Sequence, residues 1–90
     1  MTRYRRRDDV RIAALDTEGV VLHLGSRRYF TLSETALAML EELAAPRTAD
    51  ELVVFLRERY DVAPEHAAAS VRAFLERCQE ADMITLEEGP

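Results

Sequence analysis

Ninety residues, 48% of them apolar, with a formal net charge of −5, fit one small globular domain and exclude a disordered chain. No apolar run approaches the ~18 residues that span a bilayer. The charge is polarised: residues 1–11 hold five arginines against two aspartates, and the remainder seven arginines against fifteen acids. An acidic body argues against nonspecific duplex binding, because that affinity comes from Lys and Arg displacing counterions.

In chain order, Met1–Arg7 has no hydrophobic pattern, and residues 1–9 are expected to form a flexible, solvated basic tail. No apolar segment follows these arginines as it would in a signal peptide. Val10–Leu15 alternates as a strand, with Val10, Ile12 and Ala14 inward. Asp16-Thr17-Glu18-Gly19 is turn chemistry, with Gly19 available for a positive φ. Val20–Leu24 is a second strand, its core face assigned to Val20, Leu22 and Leu24. After the break at Gly25-Ser26, Arg28–Leu32 makes a third, with Phe30 and Leu32 on one side and Tyr29 and Thr31 on the other. Short turns between successive strands imply an antiparallel meander.

At Ser33 the period changes from two to that of an amphipathic helix, with Ala36, Leu37, Leu40, Leu43 and Ala44 along one stripe. Thr31 or Ser33 caps it, and Thr31-x-x-Glu34 has the form of a capping box. Pro46 ends this helix. Thr48-x-x-Glu51 is a second capping box, opening a helix with Leu52, Phe55, Leu56 and Arg59 or Tyr60 on one face. Pro64 suits the first position of a third helix, whose stripe runs Ala67, Val71, Phe74, Leu75, Cys78 and Ala81. Ala63 is a weak N-cap there, about 1 kcal/mol poorer than Asp or Ser. Met83–Leu86 adds a short strand or packs under the third helix, and Glu87–Pro90 reads as tail. The class is α+β, a three-stranded meander followed by three helices.

Converging catalytic groups are absent from this pattern. His23 reads as half-exposed on the strand face opposite Leu22 and Leu24, and His66 as exposed in the first turn of the third helix. These histidines and Cys78 have no metal-ligand spacing, so neither a metal nor a cofactor is expected. Cys78 falls in an apolar stripe as a small buried hydrophobe, and a single cysteine suits a reducing cytoplasm. The chain does not read as an enzyme.

A free sheet edge offers more. The outer strand Arg28–Leu32 leaves backbone donors and acceptors unpaired, available to an extended peptide. Such a peptide would lie against the third helix, whose apolar set widens to Val71, Phe74 and Cys78. Arg27 and Arg28 equally serve as charges that keep copies from pairing edge to edge.

The segments VVLHLGSRRYFTL, LSETALAML, PRTADELVVFLRERYDV and LERCQEADMI together resemble the PqqD-like domains known as RiPP recognition elements, over residues 10–86. Ser33 and Ala63 stand where that family often has asparagine and aspartate, both at caps. The resemblance implies a winged helix-turn-helix-like fold that takes the leader of a ribosomally made precursor peptide as an added strand. It places backbone contacts at Arg28, Tyr29, Phe30 and Thr31, and the helix wall at His66, Ser70, Val71, Phe74 and Cys78. It implies delivery to a processing enzyme, first a lasso-peptide leader protease and second a radical enzyme served by a PQQ-type peptide chaperone. A winged-helix DNA-binding protein is the alternative class, disfavoured by Glu65, Glu76, Glu80 and Asp82 against Arg72 and Arg77 on the third helix. A dimerisation domain using the same edge is another. The expected partners are peptide and enzyme, without nucleic acid or membrane, for a monomer or weak dimer.

Overall fold

Alternating side chains set the central sheet, in which β2 (Val10–Leu15), β3 (Glu18–His23) and β4 (Arg28–Leu32) pair antiparallel in that order. The structure, a computed structural model, describes residues 1–15 and 18–89. Asp16 and Thr17, in the expected turn, and Pro90, in the expected tail, lie outside the described residues, as does the side chain of Ala14. Helices α1 (Glu34–Glu42), α2 (Ala49–Arg59) and α3 (Pro64–Glu80) follow, giving the α+β, winged helix-turn-helix-like architecture. Among the described residues no helix is long and apolar enough to cross a membrane.

The first correction concerns the face of β3. Val21 is fully buried and His23 is 3% exposed, whereas Leu22 and Leu24 are 40% and 52% exposed. Register dictates this: Val21 stands opposite both Ile12 and Phe30, and His23 opposite Val10, so the odd-numbered residues face the core. A histidine tolerates that position because both ring nitrogens are bonded. Nδ1 accepts from the Ser26 N–H at 3.2 Å, which leaves Nε2 to donate to the Asp82 carbonyl at 2.8 Å. His23 is thus a buried link between β3 and the end of α3, not the half-exposed residue expected.

Gly19 likewise has another role than supplying positive φ. It lies within β3 where a Cβ would run into the Leu37 side chain, so its smallness lets α1 approach the sheet. The left-handed positions are Arg27 (φ 59°), in the turn before β4, and Asp82 (φ 58°), after α3.

The second correction concerns the ends. Thr2–Arg6 is a strand, β1, paired antiparallel with β5 (Ile84–Glu88) in a separate two-stranded sheet. Tyr4 packs against the core, and its N–H and carbonyl exchange bonds with Arg47 at 2.7 and 2.9 Å. The Arg6 N–H reaches the Leu43 carbonyl at 2.8 Å. Opposite charges meet across the ladder at Arg3 and Glu87, and Thr2 Oγ1 donates to Glu88 at 2.6 Å. The basic start and the acidic end, each without a hydrophobic pattern, complete one another.

The helices follow their caps. Ser33, not Thr31, caps α1, its Oγ accepting from the Ala36 N–H. α1 ends at Glu42, short of Ala44, which is exposed, and it buries Met39 beside Leu40. Thr48 and Glu51 form both halves of the capping box on α2. Pro64 opens α3, and Ala63 makes no side-chain cap. The core gathers Val21, Leu40, Leu43, Leu52 and Leu56 against the α3 stripe from Ala67 to Cys78, as its spacing predicted.

Candidate functional site

Strand pleating places Arg28 and Phe30, two residues apart, on the same face of β4. On α3, His66, Ser70, Phe74 and Cys78 recur every four residues and so form one ridge. These two rows face each other across a groove of about 630 Å³. Met39 of α1, Leu56 of α2 and Tyr60 at the end of α2 also line it. The groove is therefore walled by a strand on one side and a helix on the other, over an apolar floor.

Among the described residues β4 has a strand neighbour on one side only, β3. Its other edge presents backbone N–H and C=O groups with no ladder partner. The Arg28 guanidinium stacks over the Phe30 ring at 5.5 Å, an arrangement that keeps a cation beside the aromatic surface. The Tyr60 hydroxyl is buried with no hydrogen-bond partner among the described residues, an unusual state for an O–H group.

The structure brings Arg28, Phe30, His66, Ser70, Phe74 and Cys78 together around the groove. Tyr29 and Thr31 are exposed, and their side chains take the outer face of β4, opposite Phe30; Tyr29 is 74% exposed. Only the backbone of these two residues belongs to the edge. Val71 is buried in the core, one helical step off the ridge. Sequence reasoning missed Arg77, which the four-residue row Ala73–Arg77–Ala81 beside the ridge would have revealed. It also missed Met39, Leu56 and Tyr60, whose place depends on how three helices pack and carries no local signal.

Cys78 combines groove and core. Burial pushes its thiol up to about 12, outweighing the nearby Arg77 cation. The thiol therefore stays neutral and unreactive at ordinary pH. We expect iodoacetamide at pH 8 to leave the native protein unmodified for times that complete the reaction in urea. Because the folded pKa is the raised one, this group's stabilisation is intact below about 8.5, the unfolded value, and is lost as pH climbs through about 12. Rapid alkylation of the native chain would contradict this burial.

Comparison with known proteins agrees with the architecture. The model of the family described as "Coenzyme PQQ synthesis protein D (PqqD)" matches residues 18–84. No curated protein matches the chain. Among solved structures, the chain is similar to "Lasso peptide synthetase B1 complexed with the leader peptide", with a TM-score of 0.76 and 24% identity. That superposition covers 91% of this chain and 96% of the other. A second similar structure is "TbiB1 in Complex with the TbiA(beta) Leader Peptide", with a TM-score of 0.73, 26% identity, and 89% and 93% coverage.

Proposed function

The chain belongs to the PqqD family, and from that membership we propose that it is a noncatalytic module binding the leader segment of a precursor peptide. The leader adds as a strand to the open edge of β4, through the backbone of Arg28 to Thr31, and lays alternate side chains into the groove against α3. The observation that carries this reading is the conjunction of an unpaired strand edge with an apolar furrow directly beside it. Both similar structures are leader-peptide complexes, and the one 26% identical supports carrying that ligand class over. Ordering a flexible leader costs about 2–5 kcal/mol, so backbone pairing alone is insufficient and anchors near Phe30 and Phe74 supplement it.

The bound precursor is then presented to a separate processing enzyme in the cytoplasm, a lasso-type leader protease first and a PQQ-pathway radical enzyme second. Each chain, monomeric or weakly dimeric, carries one peptide. The binding domain takes in the terminal ribbon, so it runs from Thr2 to Glu88 and not over residues 10–86 alone.

Selection from a displayed library of twelve-residue peptides tests the reading. We expect enriched peptides to protect β4 amides from hydrogen exchange, and their binding to be lost on N-methylation of alternate backbone nitrogens facing β4. Failure to enrich any peptide on the folded protein, or protection mapping away from β4 and α3, would overturn it.

A further inference from the structure

The charge of the groove is concentrated at one end. Arg28 stands opposite His23 in the ladder, and His23 bonds to Asp82, just beyond α3. Arg28 therefore lies beside the last turns of α3, where Arg77 lines the same groove. His66, eleven residues before Arg77, lies about 16 Å away along the helix, at the opposite end with Ser70. The large apolar side chains of the lining are Phe30, Met39, Leu56 and Phe74.

Neither Arg28 nor Arg77 makes an ion pair among the described residues. Glu80 also lines this end without pairing, and Asp82 is paired with Arg7 at 3.6 Å. Two arginines thus line this end of the groove against one glutamate, in a domain whose overall charge is negative.

Resting on the peptide-binding reading, we propose that Arg28 and Arg77 clamp an aspartate or glutamate side chain of the bound peptide. The overall acidity of the domain points instead to a basic ligand; the local pair of arginines decides the matter, because charges act mainly over a Debye length of about 8 Å. Strand periodicity fixes where the acid stands. Residues i and i+2 of an added strand share a face, so the acid lies two positions from the large apolar residue seated between Phe30 and Phe74. The order of the two residues reports whether the peptide runs parallel or antiparallel to β4.

The same displayed library provides the test, read now for sequence. On the wild type, we expect Asp or Glu enriched two positions from a large apolar residue. The paired charge reversal R28E and R77E replaces that preference with Lys or Arg. A selected peptide should bind the wild type about tenfold more tightly than its counterpart with Gln in place of Glu, and the reversed variant should bind the Gln peptide more tightly. Circular dichroism confirms that the variants fold; should the reversal unfold the chain, R28Q with R77Q abolishes the preference without inverting it. An apolar consensus lacking the acid, or an acid retained on the variants, would overturn the clamp and leave peptide binding standing. Enrichment of no peptide on the wild type would remove both.

Discussion

Phe74→Ala is expected to lower stability by about 3–5 kcal/mol and peptide affinity by about tenfold or more. Phe74 is 5% exposed, packed in the core beneath its own groove surface, so one ring serves both purposes. Truncation removes core volume that the surrounding Leu56 and Met39 cannot fill, leaving a cavity. It also deletes the apolar wall opposite Phe30. Since a domain of this size holds only about 5–15 kcal/mol in all, the alanine variant needs to be measured at low temperature. Phe74→Leu separates the two roles, because it keeps most of the volume at a cost of about 1–2 kcal/mol while removing the flat aromatic face. Urea unfolding and fluorescence anisotropy with a selected peptide read the two effects independently. A folded leucine variant with undiminished affinity would show that the ring supports the fold without contacting the ligand.

Removing residues 1–6 is expected to cost about 3 kcal/mol or more, on the scale of about 1 kcal/mol per hydrogen bond and 1–2 for a buried ring. The deletion takes away the paired bonds between Tyr4 and Arg47, the bond from Arg6 to Leu43, and the packing of Tyr4. It leaves β5 without its only strand neighbour among the described residues. Were the segment a solvated tail, its loss would not move the urea midpoint at all. Tyr4→Ser isolates the ring's share, and should account for roughly half of the effect.

How much of this was legible in the sequence varied with the distance over which the deciding contacts act. The three helices announced themselves through local chemistry: the Thr48–Glu51 box, Pro64, and an α3 stripe whose five core members were each placed correctly. The meander and the face of β4 followed from clean alternation. β3 failed because Val20, Val21 and Leu22 are all apolar, so alternation there is ambiguous and His23 argued for the wrong face. What settles it is a bond to Asp82, 59 residues away, which no local pattern encodes. β1 was invisible for the same reason, since one tyrosine among arginines becomes a strand only when the far end of the chain lies alongside. In the groove, periodicity reached Phe30, Phe74 and Cys78 and the family resemblance added His66 and Ser70, whereas the floor carried no local signal.

The joining of Thr2–Arg6 to Ile84–Glu88 bears on how the molecule assembles. Its pairs connect residues up to 86 positions apart, from Thr2 to Glu88, so they close nearly the longest loop this chain can make. Closure entropy grows only slowly with length, but it must be met before these pairings return anything, and such contacts form late. Thr2–Arg6 cannot complete its strand pairing until Ile84–Glu88 lies alongside. The groove's own walls, β4 and α3, are joined by a shorter length of chain, so the furrow can take shape before the terminal ribbon zips.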